Sequence, residues 1–274
     1  MNNLIRLVAP FAIAVMLVTG CQTVQTTQAG AVGIERKQSM LVSSKEINQA
    51  ASQSYRQVLQ QAQQKGLLNR DPVTVERVRA VARRLTAHTG VFRQDAPSWS
   101  WEVNVISSQD LNAWCMPGGK IAFYTGLIDK LQLSDDEVAA IMGHEMAHAL
   151  REHARERASQ AMAAGLGIQI LGAATGVGQG GMDLASLVAE FTFVRPNSRL
   201  HETEADRIGV ELAARGGYDP RAAVSLWQKM GRASGGDPPQ WLSTHPSSES
   251  RLRDLEDYAA RVMPLYERTR AGRR

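Results

Sequence analysis

Apolar positions along the chain recur at several spacings, and each spacing predicts a different kind of element. Leu7–Val18 is an unbroken apolar run containing one Pro10, behind a short positive stretch, Met1–Arg6. A bilayer span needs about 20 apolar residues, so this shorter run predicts a signal-peptide core, not an anchor. Residues 22–44, rich in Gln, Thr, Ser and Gly, show no period and predict a flexible tether. Glu46–Lys65 and Pro72–His88 carry helical patterns, the second opened by Asp71 and Pro72. Trp101–Ile106 alternates apolar with polar residues and predicts a half-buried strand. A turn at Met116–Gly119 leads to a second strand, Lys120–Thr125, placed either at a sheet edge or inside the sheet.

Ser134 with Glu137 three residues on is a capping box, and Asp135, Asp136 and Glu137 complement the dipole of the helix it opens. That helix is expected to continue through Arg157. Residues 158–182 carry no charge, and their glycines from Gly165 onward predict a mobile loop or a close-packed turn. Further helices are expected near Leu184–Val194, Arg199–Ala214, Pro220–Gly231 and Ser248–Arg261. The expected fold class is α+β and mostly helical, with a small sheet beside the capped helix.

Composition narrows the class of protein. With 274 residues and 43% hydrophobic content the chain is globular, which excludes a disordered one. Two cysteines, Cys21 and Cys115, are too few for a disulfide scaffold. The net charge of +4 comes from 31 basic against 27 acidic residues, without a basic stripe, so no nucleic-acid partner is expected. Arg268, Arg270, Arg273 and Arg274 read as a solvated basic tail.

The chemistry concentrates inside the capped helix. His144-Glu145-Met146-Ala147-His148 is an H-E-x-x-H motif, whose two histidines share one helical face and can hold one zinc ion. Glu145 stands beside them as a candidate general base. A third ligand is still required. The extended histidine pattern of metzincins would need glycine at 151 and histidine at 154, where Arg151 and Ala154 stand. Glu152 lies about 12 Å along the axis from His144 and cannot close the same site, and His153 points away from that face. Glu202 and Asp206 are four apart on a later helix, with Glu204 pointing elsewhere. Glu202 is therefore taken as the third ligand and Asp206 as the group that orients a ligand histidine. His245-Pro246 caps another helix that carries Arg251, and both can donate to a developing oxyanion.

Leu17-Val18-Thr19-Gly20-Cys21 resembles a bacterial lipobox, which implies Cys21 as the first mature residue and its lipidation site. Gln22 in the next position points to outer-membrane retention in a Gram-negative periplasm. Cys115 is then unpaired, and a small buried residue is the simplest reading of it.

Taken together, His144–His148, Glu202–Asp206, His245-Pro246 with Arg251, and Asn112–Ile121 as a strand entry resemble the zinc metallopeptidase family of the CAAX prenyl proteases and their periplasmic bacterial relatives. The match is to the short lipoprotein branch, similar to the beta-barrel assembly-enhancing proteases but without their C-terminal helical repeats and without multiple membrane spans. The resemblance implies a gluzincin domain with one Zn2+ on His144, His148 and Glu202, and Glu145 as general base. It also places His245 and Arg251 at the active site, as oxyanion stabilisers or as a gate over the open position. The resulting organisation is a signal at 1–20, a tether at 21–45, a peptidase domain at 46–268 and a basic tail at 269–274. The function it implies is cleavage of misfolded or misassembled envelope proteins, with a non-cleaving zinc-stabilised scaffold for outer-membrane protein assembly as the alternative. Lys120–Thr125, if an edge, would take substrate as an added strand. Oligomeric state is not readable from the sequence.

Overall fold

A computed structural model describes residues 22–175, 183–233, 240–246 and 249–272. The signal segment, Cys21 and the last two arginines lie outside the described residues.

Strand β1 (Gln22–Val24) pairs antiparallel with β2 (Gln38–Met40). Helix α1 (Ser44–Gln64) follows a reciprocal cap between Ser43 and Glu46, and α2 (Pro72–Thr86) is capped by Asp71. Strands β3 (Glu102–Ile106), β4 (Ala113–Met116) and β5 (Lys120–Tyr124) form a sheet in the order β3-β5-β4. Then come α3 (Thr125–Lys130), α4 (Asp135–Leu150), α5 (His153–Thr175) and α6 (Leu184–Phe193). The chain closes with α7 (Arg199–Arg215), α8 (Ala222–Ala233), α9 (Gln240–Thr244) and α10 (Glu249–Ala271).

Helix α4 is the axis of the fold, with every residue from Val138 to Leu150 buried. It is apolar around much of its circumference because other elements cover it on several sides. The sheet separates two cores: Val105, Ile121 and Phe123 face the one around α4, whereas Ile106, Trp114 and Ala122 face a smaller one under α1 and α6. Alternation of side chains across a strand produces this division.

Two glycines bring α4 against α7. A Cβ on Gly143 would sit 2.6 Å from Gly209 O, and one on Gly209 would sit 2.6 Å from His144 N. Backbone therefore meets backbone one residue from the first motif histidine. Gly209→Ala should lower stability by about 1–3 kcal/mol through overpacking and weaken metal retention as well. Thermal unfolding and metal content of the purified variant check both effects.

Several sequence expectations are corrected. Residues 22–45 do not hang free: Val32, Ile34, Met40 and Val42 are buried, and Val32 N–H donates to Glu211 Oε2 at 3.0 Å. Polar composition conceals this, since Thr26, Thr27 and Gln38 are buried as partners of buried ions. The expected helix through Arg157 is two helices, because Glu152 adopts a left-handed φ of 53°. The cost of that φ, of order 1–3 kcal/mol, is offset by bonds from Ser44 Oγ and Arg155 to the Glu152 carboxylate. The loop or turn expected from Gly165 is helix as far as Thr175, and the rest of that stretch to 182 lies outside the described residues. Helix propagation adds one backbone bond per residue and so tolerates isolated glycines once the first turns are packed. The tail expected from 269 is helical through Ala271, with Thr269 bonded to Arg215 O. Of the two placements open for Lys120–Thr125 the inner one holds: Lys120–Tyr124 is the central strand, so substrate cannot add to it, and the edge beside α4 is β4.

Burial disfavours ionised Glu156, but hydrogen bonds from Arg36, His201 and Gln38 outweigh it and hold its pKa well below the usual carboxylate range. A depressed carboxylate pKa stabilises the fold above the unfolded value, here near 4.5, and the contribution shrinks as pH falls below it. The stability advantage of wild type over Glu156→Gln, measured by denaturant unfolding against pH, should thus be full near neutrality. It should diminish as the pH falls below 4.5.

Candidate metal centre

Helical spacing places His144 and His148 one turn apart, with Nε2 atoms 3.1 Å from each other. From α7, Glu202 Oε2 lies 3.5 Å from His144 Nε2 and Oε1 lies 3.4 Å from His148 Nε2. His245, just after α9, brings Nδ1 to 3.1 Å from His144 Nε2 and 3.0 Å from Glu202 Oε1. All four residues are buried, and their donor atoms lie within 4.8 Å of one another. Tetrahedral zinc with bonds of about 2.0–2.1 Å would hold its ligand atoms roughly 3.3 Å apart, which the pairs at 3.0–3.5 Å match.

The chemistry of the donors fits a cation independently of the spacing. Glu202 Oε2 is buried without a hydrogen-bond partner among the described residues, although the Arg251 guanidinium lies 2.8 Å away as an ion pair. Burial lowers the pKa of His144 and takes that of His148 to about 4, leaving both imidazoles neutral near pH 7, the form that ligates metals. For Glu202 burial acts in the opposite sense, yet His245, His144 and His148 hold it well below the usual range and therefore charged. His144 Nδ1 is engaged by Asp206 Oδ1 at 2.9 Å, so its Nε2 lone pair is the one directed at the other donors.

Glu145 stands at the rim of this cluster. Trp241 Nε1–H donates to Glu145 Oε1 at 2.7 Å, and His245 Nε2 lies 3.4 Å from the same oxygen. The Trp241 and His245 rings stack at 4.8 Å from one short helical turn, so one element holds both the base and the fourth donor. Glu145, His148 and His245 open onto a cleft whose walls include Trp114, Cys115 and Phe191. Burial pushes the Cys115 thiol pKa well up, and Glu145 adds to the effect, so Cys115 remains a protonated wall residue.

Arg251 is elsewhere than an oxyanion role requires. It bonds both oxygens of Asp206, at 2.6 and 2.7 Å, and lines a separate cavity with Glu202 and Asp206. Its place is behind the ligands, where it fixes the carboxylates. The Trp241 contact and the approach of His153 to His148 were not expected from the sequence. His153 Nδ1 lies 2.8 Å from His148 Nδ1 because the break at Glu152 turns the next helix back toward the motif. No spacing rule anticipates a left-handed glutamate.

A profile of Peptidase family M48 matches residues 72–259, which include all four donors and Glu145. The chain belongs to this family. The family is one of peptidases, and here its α+β domain assembles a donor set that could hold a metal ion from α4, α7 and the turn after α9. Among curated relatives it is similar to the mitochondrial metalloendopeptidase OMA1 of Bos taurus, 35% identical over 212 residues. That alignment covers 72% of this chain and 40% of the relative. It is 37% identical over 177 residues to the mitochondrial metalloendopeptidase OMA1 of Arabidopsis thaliana, covering 64% of this chain and 35% of the relative. The beta-barrel assembly-enhancing protease of Escherichia coli is 28% identical over 209 residues, covering 71% of this chain and 41% of that protein. The chain thus matches well under half the length of each of these relatives. Among the described residues no helix is long and apolar enough to cross a membrane.

Proposed function

We propose that this protein is an endopeptidase of a Gram-negative envelope, anchored to the outer membrane by lipid on Cys21, that cuts misfolded or misassembled envelope proteins. The N-terminal address supports the location, as does the likeness to the Escherichia coli protease, whose name refers to beta-barrel assembly. The higher identity to the mitochondrial proteins supports the peptidase chemistry and is silent on compartment. The single observation that carries the catalytic reading is Glu145 beside a four-donor cluster, open to a cleft walled by β4.

When bound, zinc polarises the scissile carbonyl and lowers the pKa of a water. Glu145 accepts a proton from the attacking water and returns it to the leaving amine as the C–N bond breaks. Trp241 fixes the carboxylate in the orientation that makes this possible. Strand β4 supplies the substrate's seat. Tyr124 N–H donates to Asn112 O, so the alternating ladder turns the main-chain groups of Ala113 and Cys115 away from β5. An extended peptide can pair there with little sequence preference, as suits unfolded substrates. Trp241→Phe removes the bond to Glu145 and should lower kcat by about tenfold with KM nearly unchanged, measured on a fluorogenic peptide.

His245 in the fourth position supports the gate among the two roles expected for it, since substrate needs that position open. The same closed set of four favours the second reading, a scaffold that holds zinc structurally and does not cut. Casein cleavage by wild type and His245→Ala, with and without chelator, separates them. The gate predicts that His245→Ala cuts faster. If wild type is open about a tenth of the time, the gain approaches tenfold. No cleavage in either protein, with zinc bound, supports the scaffold.

A further inference from the structure

The two motif histidines are braced in different ways. His144 is held directly by Asp206, which Arg251 clamps. His148 is held through another imidazole: its Nδ1 meets His153 Nδ1 at 2.8 Å, and His153 Nε2 meets Glu204 Oε2 at 2.9 Å. One proton arrangement satisfies this chain. With His148 Nε2 committed to the metal, Nδ1–H donates to His153 Nδ1, and His153 Nε2–H donates to the Glu204 carboxylate. Any other tautomer of His153 would set two N–H groups or two lone pairs against each other.

Glu204 is held in turn by two guanidiniums. Arg151 Nε and one terminal nitrogen each reach it at 3.1 Å, and Arg36 reaches it at 2.7 and 3.1 Å. Arg36 also grips Glu156 at 2.6 and 2.8 Å. Arg151 is itself enclosed by the N-terminal segment, donating to Thr26 and Thr27 Oγ1 and to the Arg36 carbonyl. Arg36 and these threonines precede residue 72, where the family match begins. The contacts of Arg36 with α5 and α7, and of the threonines with Arg151 at the end of α4, each span more than a hundred residues of sequence.

We infer that the segment from Thr26 to Gln38 is a clasp that tunes zinc retention, with Arg36 and His153 as positioning residues acting on His148 through Glu204. Without the clasp Glu204 keeps only Arg151 of its two guanidiniums, itself stripped of Thr26, Thr27 and the Arg36 carbonyl. The acceptor that selects the His153 tautomer is then less firmly placed, and His148 loses part of its fixed ring angle and basicity. Outer partners of this kind typically change metal affinity by about 10–100-fold.

The test uses the full chain and reads zinc affinity by competition with a chromophoric chelator, with the visible spectrum of the Co2+-loaded protein as a second signal. His153→Phe keeps the ring that stacks on His201 at 4.2 Å but removes both nitrogens. It should weaken zinc by about 10–100-fold and shift the cobalt bands while far-UV helix content is retained. Arg36→Met should weaken zinc by about tenfold, with Arg36→Lys in between. In the His153→Phe background Arg36→Met should cost nothing more, because the route is already cut. Wild-type affinity and an unchanged cobalt spectrum in folded His153→Phe would overturn the proposal. So would a full Arg36→Met loss that persists in the His153→Phe background, since Arg36 would then act by another route. If Arg36→Met does not fold, Arg36→Lys decides by the same comparison: weakened zinc in the wild-type background alone supports the clasp, and equal weakening in both rejects it.

Discussion

Glu145→Gln is expected to lower peptide-bond cleavage by about 10²–10⁴-fold while zinc content stays at the wild-type level. The glutamine keeps the shape and can still accept from Trp241 Nε1–H, which now meets Oε1 at 2.7 Å. It cannot accept a proton from water. Because Glu145 is not one of the four donors, the metal site should survive, and so should substrate binding along β4. The loss should therefore appear in kcat with KM little changed. Peptide hydrolysis together with metal analysis of the same preparation checks it. Full zinc-dependent cleavage by Glu145→Gln would remove Glu145 from the chemistry.

Glu202→Gln is expected to reduce zinc affinity by more than about 100-fold, and cleavage with it, because it removes the only anion among the four donors. Its Oε1 lies 3.0 Å from His245 Nδ1 and 3.4 Å from His148 Nε2, among the other donors, while Oε2 faces Arg251. The substitution also leaves Arg251, 2.8 Å from that oxygen, with Asp206 as its remaining carboxylate. Some loss of stability should accompany the loss of zinc, since removing one member of a buried charge pair costs about 3–5 kcal/mol. Equilibrium dialysis against buffered zinc measures the first effect, and urea unfolding of the metal-free proteins the second. A Glu202→Gln protein that retains wild-type zinc affinity would mean that His245 and the two motif histidines suffice.

The parts of the site that were legible in the sequence are those that depend on short-range geometry. His144 and His148 are four residues apart on a helix announced by Ser134 and Glu137, and Glu202 and Asp206 repeat that spacing on α7. Each pair shares a face for reasons internal to its own helix. The resemblance to a zinc metallopeptidase family rests on those pairs together with His245-Pro246, Arg251 and the Asn112–Ile121 strand entry. Legibility ended where the arrangement depends on distant partners. The polar segment around Thr26 and Gln38 looks like a linker until Arg151 and Glu156, more than a hundred positions away, are seen to need those side chains. His153 was assigned to the wrong face because the helix break falls at Glu152, a residue that carries no glycine or proline signal. The β3-β5-β4 order decides between the two placements left open for Lys120–Thr125 in favour of the inner one, which depends on distant pairing as well. Alternation tells which residues share a face of the sheet but not which strand lies in the middle.

The most direct measurement is cleavage of an unfolded protein by the purified chain in three states: as isolated, after removal of metal, and after zinc is restored. A zinc endopeptidase loses cleavage with the metal and regains it as zinc reaches one ion per chain, with Glu145→Gln inactive throughout. Zinc bound at one ion per chain with no cleavage by wild type or His245→Ala would contradict the enzymatic account and leave a closed, structural metal site.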